Sequence, residues 1–222
     1  MENKENSEFL YPAEKRLDRL LTLHVKLQKL VDKFPIGIPS KFKVKIVDSL
    51  FRDEQMQELI KNIKENKIPP SEADIAIELA ADRFTKVFSS LAFLIGTEPI
   101  PGPDILILIP LQTTLIALIA YLSGRELSYK TAGEFLTSMG VNVGAGFVFR
   151  EAARQLIKLF AGPGNLISGA VAASGTYGIG KAAIAYYLLG IKKENIKGIF
   201  LKAKKKAKNI IPVKTGTHSK DS

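Results

Sequence analysis

The chain has 222 residues, which is enough for one large domain or two small ones. Its contents of 46% hydrophobic and 24% charged residues are typical of globular proteins and exclude wholesale disorder. It contains no cysteine, which excludes disulfides, cysteine nucleophiles, iron–sulfur clusters and cysteine-based zinc sites. Because the only histidines are His24 and His218, a multi-histidine metal cage is not expected, and we predict neither a metal nor a cofactor.

Charge is distributed unevenly along the chain, whose formal net charge is +10. Residues 1–104 contain 16 basic and 17 acidic side chains, residues 105–191 contain 6 and 3, and residues 192–222 contain 10 and 2. This segregation predicts three parts. They are a charged amphipathic helical region (1–83), an apolar helical domain (84–191), and a basic amphipathic helix with a disordered tail (192–222).

The N-terminal region has the pattern of amphipathic helices. In residues 11–34, apolar side chains recur every three or four positions, as on one face of a helix. Ser40 is a plausible N-cap for the next stretch, but residues 42–46 alternate between apolar side chains and lysines, so a short strand is also possible there. Ser71 and Asp74 resemble a capping box that opens a long helix, and Gly96 is suited to end it. No apolar run follows a basic start, so no signal peptide is expected.

A proline-rich segment precedes the most apolar part of the chain. Pro99 and Pro101 cannot lie inside a helix, and Asp104 is the natural N-cap for the helix that follows. Residues 105–123 then carry no charge, and residues 165–190 are small, glycine-rich and almost uncharged. Together with the other periodic segments, these stretches predict an all-α multi-helix bundle of about eight helices with an apolar, glycine-rich central region.

The two apolar stretches allow two interpretations. A membrane span needs about 20 largely apolar residues, a length that residues 105–123 and 165–190 both approach or exceed. Lys181 lies inside the second stretch, where a lysine at the centre of a span costs about 2.5–3.5 kcal/mol. The alternative is a bundle in water whose central helices are buried all round. The basic segment that follows favours the membrane interpretation, on the cytoplasmic side, with a purely cytoplasmic protein as the alternative.

The segment directly after the apolar domain is rich in lysine. Near an anionic membrane each lysine is attracted by about 1 kcal/mol, and the segment predicts an amphipathic helix with an apolar stripe. Nucleic acid is not favoured, because base stacking needs interleaved aromatic side chains and the segment offers only Phe200. A solvated charge run is the plain alternative. The candidate membrane-surface residues are Lys192, Lys193, Lys197, Lys202, Lys204, Lys205, Lys206 and Lys208.

A glycine-rich string is the only motif that could bind a nucleotide. Residues 175–182 read GTYGIGKA, which matches the GxxxxGK spacing of a phosphate-binding loop. However, Ala182 replaces the Ser or Thr that would hold Mg²⁺, and the preceding residues resemble a small-residue helix rather than a strand. We therefore favour a glycine-rich helix face carrying one lysine. Its residues are Gly175, Gly178, Gly180 and Lys181.

Catalytic groups are scarce. His24 lies on the apolar face of the first predicted helix and is expected to be a core histidine. Glu98 and Asp104 flank the proline-rich segment, but a capping role for Asp104 and a solvated Glu98 are favoured over an acid–base pair. We predict no catalytic residues and no enzymatic activity.

Three ordered sequence blocks lie within residues 87–189. The first block is GTEPIPGPD (96–104), which runs into the apolar stretch. The second consists of GVNVG (140–144) and REAAR (150–154), and the third of GPG (162–164) and GAVAASGTYGIGKAAIAY (169–186). Together these blocks resemble the bacterial family of YcjF-like domains of unknown function. Residues before 83 and after 190 are not covered by the resemblance.

The resemblance implies a helical, membrane-associated and non-catalytic module, which in that family often accompanies Era- or dynamin-like GTPase domains. No nucleotide-binding domain fits into this chain, so a GTPase would have to be a separate partner. We expect a membrane-associated helical adapter that binds anionic lipid and a protein partner, and an oligomer is compatible with the sequence. The alternative is a soluble α-helical interaction domain with a buried glycine-rich core, which could hold a lipid or small-molecule pocket.

Overall fold

A computed structural model describes residues 12–32, 40–97, 105–138 and 169–210. Within these ranges the chain forms eight α-helices and one 3₁₀ turn and has no β-strand, which confirms the predicted all-α multi-helix bundle. In chain order the helices are α1 (Ala13–Asp32), α2 (Ser40–Phe51), α3 (Glu54–Lys64), α4 (Ala73–Thr97), α5 (Ile105–Leu122), α6 (Tyr129–Ser138), α7 (Gly169–Tyr187) and α8 (Lys193–Ile210).

The helices α1, α2 and α3 pack against one another and against α4. The short strand considered for residues 42–46 is not formed, because these residues lie inside α2, which begins at Ser40. Their alternation of apolar side chains and lysines was misleading, since the buried positions of α2 are Ile46, Val47 and Leu50, which have helical spacing. The side chain of Asp53 accepts a hydrogen bond from the backbone N–H of Met56 and thereby caps α3.

α4 is the central helix of the fold, because it packs against α1, α2, α3, α5 and α7. The capping box expected at Ser71 is wrong, since Ser71 lies in the 3₁₀ turn Pro70–Glu72 that precedes α4. Gly96 does not end α4 either, because the helix continues to Thr97. A Cβ atom on Gly96 would lie 2.9 Å from the Cα of Gly169, so this glycine allows α4 and α7 to approach closely.

The apolar helix α5 is followed by a short turn and α6. Gly124 follows the end of α5, and its φ of 103° is a backbone conformation that residues other than glycine rarely adopt. Ser128 precedes α6, and its hydroxyl accepts a hydrogen bond from the backbone N–H of Thr131, as an N-cap residue does.

The glycine-rich helix α7 lies between α4 and α8 and makes close contacts with both. Because its glycines have no side chain, α4 and α8 can approach its backbone closely. A Cβ atom on Gly178 would lie 3.0 Å from the ring of Phe200 in α8, and one on Gly180 would overlap Thr85 in α4. On two sides, the backbone of α7 therefore packs directly against side chains of neighbouring helices.

Among the residues that the structure describes, no helix is both long enough and apolar enough to cross a membrane. Both stretches that were considered as spans coincide with central helices of the bundle. Every side chain described from 108 to 122 is buried, and α7 is buried along most of its length. The expectation of membrane spans at 105–123 and 165–190 is therefore not supported.

Candidate functional site

The lysines after the apolar domain form a basic surface on and just before α8. We call this set, Lys192 together with the lysines of α8, the α8 lysine surface. The side chains of Lys192, Lys193, Lys197, Lys202, Lys205 and Lys206 are exposed, and that of Lys204 is half-buried beside the Phe200 ring. The backbone of Lys208 lies in the last turn of α8, and its side chain lies outside the described part. α8 carries seven lysines against one glutamate, so the surface is strongly cationic.

The apolar stripe of α8 does not face outward. Ile196, Phe200 and Ala207 are buried, and Phe200 lies against Gly178 of α7. The stripe expected to suit a membrane surface is therefore occupied by protein contacts. What α8 offers to a partner is its opposite side, where Leu201 is 53% exposed and lies one helical turn from Lys197 and from Lys205.

The phosphate-loop alternative is wrong, because the glycine-rich string forms the middle of α7. Gly175, Gly178 and Gly180 are buried inside a continuous helix. Interior helical residues use their backbone N–H groups in i to i−4 hydrogen bonds, so these groups cannot cradle a phosphate. The favoured interpretation, a glycine-rich helix face with one lysine, is the structure observed.

Lys181 joins α7 to α4 through an ion pair. Its Nζ lies 2.5 Å from Oδ1 of Asp82, and Lys86 approaches the other carboxylate oxygen of Asp82 at 2.8 Å. Burial alone would raise the pKa of Asp82, but the hydrogen bonds from Lys181 and Lys86 outweigh it and hold this pKa below its usual value. The lysine that interrupted the apolar stretch is therefore a structural partner of α4.

A second ion pair fixes α3 against α4. The guanidinium of Arg83 donates to both carboxylate oxygens of Asp53. Burial raises the pKa of Asp53, but hydrogen bonds from Arg83 and from the backbone N–H of Met56 lower it by more, so the net shift is downward. Asp53 thus serves as helix cap and as ion-pair partner at once.

Polar side chains in the core connect α5, α6 and α7. The amide of Gln112 donates to the hydroxyl of Thr176 at 3.0 Å, and both groups are buried. The hydroxyl of Tyr187 donates to the backbone carbonyl of Thr131 at 2.7 Å. Burial also raises the pKa of Tyr129 above its usual range. These bonds satisfy buried groups, as a stable core requires.

A second cationic region lies between α1 and the end of α5, where the sequence analysis placed no site. A pocket of about 300 Å³ is formed there, and we call it the Tyr121 pocket. Four cationic side chains and one carboxylate surround it, together with three apolar or aromatic side chains. The lining residues are Arg19, Lys26, Lys29, Leu30, Tyr121, Arg125, Glu126 and Leu127.

The geometry of this pocket depends on Arg19. Its Nη1 donates to the backbone carbonyl oxygens of Tyr121 at 3.0 Å and of Arg125 at 2.7 Å. The Tyr121 ring lies beneath two cations, with the Arg19 Cζ 4.6 Å and the Lys26 Nζ 4.7 Å from the ring centroid. The part of the pocket that α1 supplies is visible in the sequence, because Arg19, Lys26 and Lys29 share one helix face. No sequence pattern indicates that Tyr121 and Arg125, about a hundred positions further along the chain, lie beside them.

Several predicted positions need separate mention. Pro99, Pro101 and Asp104 lie outside the described residues, as do Glu98 and His218. His24 is exposed rather than buried, so the expected core histidine is wrong, and its ring meets that of Phe51 edge-on at 4.7 Å. Within the described ranges, no group of three or more His, Asp or Glu side chains could hold a metal ion.

No protein-family model, no curated protein and no solved structure matches this chain. The resemblance to YcjF-like domains therefore stays a prediction.

Proposed function

We propose that this chain is a helical adapter that attaches to anionic membrane surfaces through the α8 lysine surface and presents its other helices to a protein partner. The observation that carries the proposal is the exposure of six lysines, one just before α8 and five on it, together with the exposed Leu201, on a helix that the core holds in place. No catalytic step is part of the proposal.

The size of the expected binding free energies favours reversible attachment to the membrane surface. A lysine near an anionic bilayer contributes about 1 kcal/mol, so six exposed lysines contribute several kcal/mol at physiological salt. Burying Leu201 among lipid chains adds at most about 1.5–3 kcal/mol. Because the apolar stripe of α8 is used against α7, little further apolar area on α8 is offered to the bilayer. Binding should consequently weaken as salt rises, since the Debye length shortens.

The partner and the location are further parts of the proposal. Lysines attract the anionic lipids of the cytoplasmic leaflet, which supports the cytoplasmic side of a membrane. The resemblance to YcjF-like domains supports a separate GTPase as the protein partner. Assembly into an oligomer is compatible with this proposal and is not needed for it.

A soluble interaction domain is the second candidate function, and one observation favours it. Ile75 and Leu79 lie one turn apart on α4 and are 68% and 47% exposed. Two large apolar side chains side by side on a helix surface are typical of protein contacts. On this alternative the α8 lysines are a solvated face, and the protein binds no membrane.

Vesicle sedimentation tests the proposal with the whole chain. The wild-type protein should sediment with vesicles that contain phosphatidylglycerol, should not sediment with pure phosphatidylcholine, and should be released by about 0.5 M salt. The double variant Lys202→Gln/Lys205→Gln should bind at least about tenfold more weakly, at roughly 1 kcal/mol per lysine.

The matched control removes the same charge from α3. Lys61 and Lys64 are exposed, and Lys61→Gln/Lys64→Gln should leave vesicle binding within about twofold of wild type if α8 is the surface that binds. Equal losses in the two double variants would show a general effect of net charge. No sedimentation of the wild-type protein would reject membrane attachment and favour the interaction domain.

A further inference from the structure

The Tyr121 pocket lies apart from the α8 lysine surface and uses different residues. Its walls come from α1, the last turn of α5 and the segment before α6. With four cations and one carboxylate, its lining has a formal net charge of +3. A volume of about 300 Å³ is at the lower end of the range for small-molecule sites, which run from about 300 to 1,000 Å³.

Arg19 is held in position before any ligand arrives. The two acceptors of its Nη1 are neutral backbone carbonyls, and its guanidinium also lies over the Tyr121 ring. These contacts orient the guanidinium at the wall of the pocket. A guanidinium fixed in this way loses little conformational freedom when it binds an oxyanion, whose paired oxygens match its fork of N–H groups.

The lysines supply further charge at the same ring. Lys26 is exposed, and its ammonium lies 4.7 Å from the centroid of the ring that Arg19 covers. Lys29 follows on the same face of α1 and is also exposed. Several like charges at one pocket repel one another, and an anion bound between them relieves this repulsion. The apolar side chains of Leu30 and Leu127 line the same pocket and suit a small organic substituent.

From this geometry we propose that the Tyr121 pocket binds a phosphate monoester. A monoester carries about −1.5 to −2 charges at pH 7, which matches a lining of net charge +3 better than the single charge of a carboxylate or a phosphodiester. The ligand is either a small soluble phosphate ester or the headgroup of a lipid that ends in one, such as phosphatidic acid. The proposal does not rest on membrane attachment by α8.

Glycerol 3-phosphate is the soluble probe, and dimethyl phosphate is its singly charged control. In heteronuclear NMR titrations of the whole protein, glycerol 3-phosphate should shift the amide signals of residues 19–30 and 121–127, with weaker or no shifts from dimethyl phosphate. Lys26→Gln/Lys29→Gln should weaken binding by about tenfold, since two charge-assisted contacts are lost. Lys61→Gln/Lys64→Gln, which removes the same charge at exposed positions of α3 outside the pocket and outside the α8 lysine surface, should leave binding within about twofold of wild type.

Vesicles separate the two sources of the phosphate. If the ligand is a lipid headgroup, wild-type protein binds vesicles with phosphatidic acid more tightly than vesicles with phosphatidylglycerol, and Lys26→Gln/Lys29→Gln abolishes this preference. Equal binding to both lipids, together with binding of glycerol 3-phosphate, assigns the pocket to a soluble ester. The proposal is overturned if 10 mM glycerol 3-phosphate shifts no pocket signal, or if the two double variants weaken its binding equally.

Discussion

At the scale of single residues, Gly180 decides how closely α4 and α7 approach. A Cβ atom at this position would lie 2.5 Å from Cγ2 and 2.8 Å from Cβ of Thr85, and closer still to Oγ1. Thr85 cannot turn away, because its own Cβ is among the atoms that would be struck and its side chain is fully buried. A methyl group at Gly180 therefore has to push the two helices apart.

Gly180→Ala should destabilise the protein despite the better helix propensity of alanine. Overpacking costs about 1–3 kcal/mol, whereas replacing glycine in a helix gains up to about 1 kcal/mol. The net loss of unfolding free energy, measured by urea denaturation, should be about 1–2 kcal/mol. Gly198→Ala in α8 is the matched control, because no atom lies within 4 Å of its added Cβ, and it should stabilise by about 0.5–1 kcal/mol. Equal stabilisation by both variants would contradict the close approach of α4 and α7.

The ion pair of Asp82 and Lys181 should make stability depend on pH in a known direction. The folded pKa of Asp82 is lowered, so its contribution is present above the unfolded pKa of about 3.9 and is lost as pH falls through the folded pKa. Lys181→Met keeps the apolar stem and removes the charge. It should cost about 1–2 kcal/mol at pH 7, and the difference from wild type should vanish near pH 2.

Urea denaturation at pH 7, 4 and 2 checks this dependence. Lys202→Met, at an exposed position on α8, should change stability by no more than about 0.5 kcal/mol at each pH. A cost of Lys181→Met that is the same at pH 2 as at pH 7 would show that the charge on Asp82 is not involved.

At the scale of elements, the sequence patterns succeeded where a helix has one apolar face and failed where it has none or two. Residues 11–34 have one clear face, and α1 forms there. α7 is buried on two sides, so its small residues show no period, and only the absence of large side chains indicated close helix packing. In residues 42–46 lysines alternate with apolar side chains, but the tertiary contacts of α2 through Ile46, Val47 and Leu50 override that local pattern.

The attachment of α8 depends on Phe200, which is 1% exposed and lies against Gly178. Phe200→Ala should cost about 3–5 kcal/mol, because it leaves a cavity between α7 and α8 that glycine cannot fill. The adjacent Leu201→Ala should change stability by less than about 0.5 kcal/mol, since Leu201 is 53% exposed. Thermal and urea denaturation measure both. Similar costs for the two variants would contradict the orientation of α8.

At the scale of the whole molecule, α4 connects the parts that charge segregation separates. It begins in the predicted N-terminal region and ends in the predicted apolar domain, and it contacts helices of both. Composition shows how charges are distributed along the chain but not which helices share a core. The Tyr121 pocket likewise combines residues of both regions, because α1 supplies Arg19 from the first region and α5 supplies Tyr121 from the second. Such a site could not be predicted from a local motif.

Shared packing predicts that the whole protein unfolds in one transition. Leu27 of α1 is fully buried, and α1 packs against both α4 and α5. Leu27→Ala should cost about 2–5 kcal/mol and lower the midpoint of thermal unfolding by roughly 5–15 °C.

Differential scanning calorimetry of wild type and variant should show one peak in each, with the calorimetric enthalpy equal to the van 't Hoff enthalpy. Two peaks, of which Leu27→Ala moves only one, would instead mean that the N-terminal helices fold as a separate unit and that α4 does not couple them to the apolar core. In that case the two walls of the Tyr121 pocket would belong to units that can separate, and binding of a phosphate ester would raise the midpoint of both peaks together by linking them.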